Sequence, residues 1–173
     1  LLSTFQDGFR YVTLGDTAKT TTLTVNTTRT FTDSLALVNS GTSPMVLNST
    51  VDVGGNTLTL TSGGTVSGSG NILADKLLLN GSGDYTLATA TGHRINTIAA
   101  ATPNTVDFIN QQSFEVGTAS PPSNVAVEGV STATAVTLEA SGAASNFTVT
   151  KGVNTPLMTL VAGGLFNNVG GGA

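Results

Sequence analysis

The chain has 173 residues, of which 39% are hydrophobic, 5% aromatic and 9% charged, with a formal net charge of −4. That length allows one domain with a sizeable core, and the few aromatics leave Leu, Val, Ile and Ala to build it. Six Lys and Arg spread singly make no basic patch for phosphates, which argues against nucleic-acid binding, and zero Cys removes disulfides, thiolate catalysis and Cys-based zinc sites.

The charged fraction is far below the ~25% usual in soluble domains, yet a mean hydropathy of +0.21 argues against disorder. Thr, Ser, Asn and Gly supply the polarity instead. Thr favours strands, Asn and Gly favour turns, and the strong helix formers are scarce, so the chain reads as all-β. No apolar run approaches the ~20 residues of a membrane helix. Leu1 to Arg10 has no basic stretch leading into an apolar one, and we read the chain as a mature or excised piece of something longer.

In chain order, residues 1–20 carry Phe5, Phe9 and Tyr11 and one alternating strand from Tyr11 to Leu14, ended by Gly15-Asp16. They match nothing later and are expected to be a cap or the end of a preceding unit. Repeats are expected over residues 21–162. Leu23 and Val25, then Leu35 and Leu37, sit on one face of alternating strands, and Asn39-Ser-Gly-Thr-Ser-Pro44 reads as a turn. A strand–turn–strand phrase then recurs, from Leu58 to Val66, Leu77 to Leu87, Val106 to Val116 and Val136 to Phe147. Its starts are 19, 29 and 30 residues apart. The longer intervals contain loop material at Thr91-Gly-His-Arg94, Ala101-Thr-Pro-Asn104 and Ala119-Ser-Pro-Pro-Ser-Asn124, as expected for insertions in a regular stack. Residues 163–173 are Gly-rich and read as a tail or linker.

One such unit cannot bury its inward residues alone, whereas stacked units place like positions over one another at the ~4.8 Å strand spacing. The expected fold is therefore a parallel β-helix, a solenoid of about 19–30-residue coils. Leu58, Leu60, Leu77, Leu79, Val106, Phe108, Val136 and Leu138 are expected in one inward ladder. Val66, Leu87, Val116 and Val149 are candidates for a second, with Thr59, Thr137 and Glu139 outward. The alternative is a β-sandwich, which this chain with no Trp and few hairpin dipeptides supports less well.

Several stretches resemble the filamentous haemagglutinin type of secreted bacterial adhesin. They are Val66-Ser-Gly-Ser-Gly-Asn-Ile-Leu73, Leu77 to Gly83, Ile95-Asn-Thr-Ile-Ala-Ala100 leading into Val106 to Val116, and Gly129 to Leu138. Gly54-Gly-Asn-Thr-Leu-Thr-Leu60 with Gly68-Ser-Gly70 is similar to autotransporter passenger repeats. The likeness covers about residues 45–150. It implies a right-handed parallel β-helix at the bacterial cell surface or beyond it, exported by an outer-membrane secretion partner (type V secretion) and serving as an adhesin shaft or a filament subunit.

The search for chemistry gives little. His93 is the only His and stands beside Arg94 in expected loop material, without Cys or a carboxylate cluster to share a metal. The ten acids are scattered, and only stacking in neighbouring coils would bring Asp107, Glu115 and Glu139 onto one face as a hydrolytic pair. Asn80-Gly-Ser-Gly-Asp84 is half of one calcium-binding repeat, Gly68-Ser-Gly70 lacks the Lys of a phosphate loop, and no nucleophile elbow is present. Asn26, Asn48 and Asn146 head formal glycosylation sequons, expected by chance in so Asn- and Thr-rich a chain.

We therefore expect no catalytic, cofactor-binding or metal residues and no enzyme. The expected function is structural or adhesive. The expected partners are the chain itself, end to end or laterally, and host or surface glycans. Contacts are expected at the loops carrying His93, Arg94, Pro103, Asn104, Pro121, Pro122 and Asn124. The alternatives are a carbohydrate-active β-helix enzyme such as a tailspike-like depolymerase, and a pilin-like subunit donating a strand near Phe9 to Leu14.

Overall fold

The computed structural model describes residues 7–18, 21–101 and 104–170. Among them there is no helix, and the strands form a parallel β-solenoid of about seven turns.

The first coil is β1 (Tyr11–Asp16), β2 (Leu23–Val25) and β3 (Arg29–Thr30), and the second is β4 (Ser34–Asn39), β5 (Met45–Leu47) and β6 (Val51–Asp52). The third is β7 (Thr57–Ser62), β8 (Val66–Ser67) and β9 (Ile72–Leu73). The fourth has β10 (Lys76–Asn80) and β11 (Tyr85–Thr86), with Arg94 bridging to Leu73, and the fifth has β12 (Thr97–Ala101) and β13 (Val106–Asn110). The sixth contains β14 (Phe114–Val116), β15 (Thr118–Ala119), β16 (Val127–Glu128), β17 (Val130–Ser131) and β18 (Ala135–Ala140). The seventh has β19 (Phe147–Val149), β20 (Val153–Asn154) and β21 (Leu157–Ala162), and β22 (Phe166–Asn168) opens one more turn.

Three faces result. The first runs β1-β4-β7-β10-β12-β14-β19-β22, the second β2-β5-β8-β11-β13-β18-β21, and the third β3-β6-β9. Every named strand pair is parallel except the hairpin β15–β16. Each coil is thus one layer, and like side chains stack along the axis, which is the topology of a solenoid and not of a sandwich.

The register revises the expected ladders. The eight ladder residues are all buried, but in two rows. Leu58 and Leu60 lie beside Leu77 and Leu79 on the first face, continued by Leu35 and Leu37 on one side and Ile98 and Ala100 on the other. Val106 and Phe108 lie beside Val136 and Leu138 on the second face, where Tyr85 and Val66 continue the row of Val106. The second expected ladder divides likewise, with Val66 and Leu87 on the second face and Val116 and Val149 on the first. The repeated phrase spells both faces alike, because strand–turn–strand is the corner between faces as well as the strand pattern within one.

This also resets the coil length. Leu35, Leu58, Leu77, Ile98 and Val116 follow one another on the first face at steps of 18 to 23 residues. Residues 91–101 are therefore not an insertion, and residues 102 and 103 of the expected Ala101–Asn104 loop lie outside the described residues. His93 and Ile95 are buried there, and Thr97–Ala101 is a strand of the first face. The one long step is real. Ile98 pairs with Val116 and Ala100 with Val130, so residues 117–129 leave and re-enter the solenoid in the middle of one strand position.

Both ends join the stack as well. Tyr11–Asp16 pairs along its whole length with Ser34–Asn39, so this stretch is a coil of the same solenoid and is not a strand held out for donation. Residues 166–168 pair with Phe147–Val149, which carries the solenoid into the Gly-rich tail. Gly163 and Gly164 form the corner that leads there, hydrogen-bonded to Ala140 and Ser145 of the preceding coil.

Two devices close the coils at their corners. Glycine sits where the turn of one coil lies on the backbone of the last. Gly68 has a φ of +136° and faces the Leu47 carbonyl, where a Cβ would clash. Side-chain amides supply the remaining backbone partners. Asn39 Nδ2 donates to the carbonyls of Ser43 and Pro44, both at 3.0 Å, and Asn56 Nδ2 donates to the Thr32 carbonyl at 2.9 Å.

Candidate functional site

The contact residues expected from sequence part company. His93 is fully buried and belongs to the core. Its Nδ1 accepts the Ile72 N–H at 2.9 Å, and its Nε2 lies 2.8 Å from the Leu87 carbonyl, which places the proton on Nε2. The ring stacks on Phe108 with centroids 4.8 Å apart. Its pKa is pushed below the ordinary 6.5 chiefly by burial, with the Leu87 carbonyl pulling the other way. Nδ1 ties the backbone of the preceding coil and Nε2 ties Leu87 of its own coil, so the residue is a corner tie and not a contact group. Arg94 is exposed and directs Nε toward Gln111 Oε1 at 3.4 Å. Asn104 is half-buried, and Pro103 lies outside the described residues.

A pH dependence follows. The unfolded His93 titrates near 6.5 and the folded one lower, so its contribution to stability is whole above 6.5 and is lost as the pH falls from there through the folded value. Asp107, which burial pushes up from 3.8, has the opposite sign. Its contribution is whole below 3.8 and fades as the pH rises through its folded value. The urea midpoint is expected to drop between pH 7.5 and pH 5.5 and to stay level in a His93→Gln variant. A wild-type midpoint constant over that range contradicts the assignment.

Pro121, Pro122 and Asn124 lie in the excursion of residues 117–129, which forms a strap across the outside of the first face. Its base is closed by the Gly129 N–H donating to the Gly117 carbonyl at 2.8 Å, and φ at Gly129 is +75°. The outward side chains of the first face form a row Ala36, Thr59, Leu78 and Ala99. Facing away from the core, such a row should be wet, yet all four are at most 1% exposed. Leu78 and Ala99 form a second small apolar cluster with Ala119 and Val127 of the strap. Lys76 Nζ donates to the Thr118 carbonyl at 3.3 Å, and Lys151 pairs with Glu128 at 3.2 Å. From the first coil, the Tyr11 hydroxyl donates to the Ser120 carbonyl and Arg10 Nη2 donates to Asn124 Oδ1. Pro121 is buried, while Pro122, Asn124 and Val125 are exposed, Val125 by 72%. The cover is imperfect, because Thr59 Oγ1 is buried without a hydrogen-bond partner.

The second face is open. Register places Thr24, Val46, Ser67, Thr86, Asp107, Thr137 and Thr159 in one outward row crossing seven strands. Five of the seven are hydroxyl residues, on strands stacked at the ~4.8 Å spacing, with Val46 and Asp107 interrupting them. Glu139 is on the same side, opposite Ile109 and therefore diagonal to Asp107, while Glu115 belongs to the first face beside Thr97. Stacking thus brings two of the three acids onto one face, about 7–8 Å apart at the backbone. Among the described residues, no group of three or more His, Cys, Asp or Glu is placed to hold a metal ion.

The ends differ from the sides. At the first coil a cavity of about 470 Å³ opens among Leu14, Leu23, Val25, Phe31, Leu35 and Leu37. At the last, a cavity of about 290 Å³ is lined by Val149, Val153, Met158, Leu160 and Phe166. Leu157, Met158, Leu165, Phe166 and Val169 are half or more exposed there. Phe166 ends an aromatic column that starts at Phe108 and passes Phe114 and Phe147. The sequence pattern contained the hydroxyl row but held no sign of the covered row, since Ala, Thr, Leu and Ala share no pattern until the strands are set side by side.

These features define a parallel β-solenoid with a hydroxyl-rich face, a strapped face and two apolar ends. Comparisons with protein-family models, with curated proteins and with solved structures found no match.

Proposed function

We propose that the chain is a structural or adhesive β-solenoid, either a length of an adhesin shaft or a subunit of a filament. The observation that carries this reading is the contrast between the sides and the ends. The second face offers Thr and Ser hydroxyls with few charges, a surface that loses little hydration when it meets the hydroxyl groups of a glycan. The two ends present apolar core and unpaired strand edges, which in solenoids favour stacking on further coils. The sequence likeness to filamentous haemagglutinin and autotransporter passengers suggests a secreted bacterial protein of the cell surface, brought out through an outer-membrane partner. Its partners on this reading are host or surface glycans at the hydroxyl face and other coils at the ends.

A carbohydrate-active enzyme is the second reading. It is favoured by Asp107 and Glu139 on one face, with burial raising the Asp107 pKa as a general acid requires.

One preparation separates the two. On the first reading the purified chain is retained by immobilised neutral polysaccharide, releases no reducing ends, and forms end-to-end rows by electron microscopy as its concentration rises. Single particles at every concentration together with no retention overturn it. Reducing ends that disappear in an Asp107→Asn variant establish the second reading.

A further inference from the structure

We propose that the strap of residues 117–129 is a clamp that sets the order of the first coil, so that an excursion from the sixth coil decides whether the socket at the opposite end of the solenoid is formed. In a stack of repeats each coil is held by its two neighbours. Among the described residues the first coil has one: β1 pairs with β4 and with no other described strand. Its socket residues, Leu14, Leu23, Val25 and Phe31, are only partly buried. Within the described residues, nearest-neighbour stacking alone therefore holds this coil less firmly than the coils between two neighbours.

The strap supplies the missing restraint from a distance. It is rooted between Val116 and Val130, is tied to the fourth coil by Lys76 and to the seventh by Lys151, and meets the first coil through Tyr11 and Arg10. Tyr11 and Leu14 are on the same six-residue strand. Holding Tyr11 thus holds the backbone that positions Leu14 over the cavity. The link joins residues more than 100 apart in sequence, 11 to 120 and 10 to 124, and it gives a nearest-neighbour array one long-range coupling. The Thr59 hydroxyl, buried in this covered row without a hydrogen-bond partner, marks an outer layer whose polar groups are less fully paired than those of the corners.

Amide hydrogen exchange on the full chain tests the proposal with two variants. Tyr11→Phe combined with Asn124→Gly removes both tip bonds and keeps the strap. Gly suits position 124, where φ is +65°. The second variant replaces residues 118–128 by a two-residue Asn-Gly turn between Gly117 and Gly129, whose backbones are already bonded. In both, the β1 amides are expected to exchange at least ~10-fold faster while the β18 amides keep wild-type rates. Unchanged β1 exchange in the double variant overturns the proposal. So does β18 loosening as much as β1 there, which would make the strap a general brace. If the shortened chain fails to fold, the double variant decides alone.

Discussion

Replacing Phe108 by Ala is expected to lower the unfolding free energy by about 3–5 kcal/mol, the usual loss for a fully buried aromatic. The ring is 0% exposed, stacks on His93 at 4.8 Å and meets Phe114 edge-on at 6.1 Å. Two consequences add. The ring volume is lost where Leu138 packs in the next coil, with the column of Phe114 and Phe147 behind it. The His93 imidazole, whose two nitrogens bond Ile72 and Leu87, also loses the surface that fixes its plane. Phe108→Leu keeps most of the volume and is expected to cost less than about 2 kcal/mol. Urea unfolding of both variants checks the pair. A loss below ~1.5 kcal/mol in the Ala variant would show that neighbouring coils close over the gap, which the strand spacing resists.

The fold class was legible because period-2 alternation, Thr-rich strands and Gly or Asn corners agree over most of the chain. The assignment of residues to faces was not. Spacing alone treats Leu77 and Val106 as equivalent, since both begin an apolar strand before a polar turn. Only hydrogen-bond register shows that Ile98, hidden in Ile95-Asn-Thr-Ile, is the true neighbour of Leu77. The loop at 119–124 was legible from Pro121-Pro122, but its destination was not, because sequence carries no mark that Ser120 and Tyr11 meet. His93 was misplaced for a related reason. A lone His between Gly92 and Arg94 has the composition of a loop, and its burial is decided by the backbone groups of Ile72 and Leu87 that need its nitrogens.

The hydroxyl row and the strap show how one coil geometry serves two purposes. On the second face, outward Thr and Ser stand in an open row from Thr24 to Thr159. On the first face, the outward row of Ala36, Thr59, Leu78 and Ala99 is small or apolar and is closed off from solvent, at Leu78 and Ala99 by the strap. Lateral association through the first face would have to displace the strap, whereas the ends and the second face are accessible as they stand.

The other large effect is expected at Asn110. Among the described residues the third face has strands in the first three coils alone, and its last pairing is the single bridge of Leu73 with Arg94. Just beyond it, buried Ile95 needs partners for its backbone. Asn110 supplies them from the end of β13. Its Oδ1 accepts the Ile95 N–H at 3.0 Å, and its Nδ2 donates to the Ile95 carbonyl at 3.0 Å and to the Gln112 carbonyl at 2.9 Å. The side chain is 0% exposed and stands in for a missing strand. Asn110→Ala leaves the Ile95 N–H orphaned in the core, while its carbonyl keeps Gln112 Nε2 at 3.2 Å. With a buried unpaired group costing about 1–3 kcal/mol and the lost bonds and volume adding to it, the total is expected at roughly 2–4 kcal/mol. Asn110→Asp separates hydrogen bonding from packing. It keeps the shape and an acceptor for the Ile95 N–H, but sets a carboxylate oxygen against the Ile95 carbonyl. Burial and that contact raise the folded pKa of the new acid, so its stabilising contribution is whole below the ordinary carboxylate value near ~3.9 and is lost as the pH rises through the folded value. An Ala variant with a deficit independent of pH, beside an Asp variant that weakens relative to wild type as the pH rises from 4 to 7, is the expected pattern in urea unfolding. Equal stability of the Ala variant and wild type would mean that another group, or water, reaches the Ile95 amide.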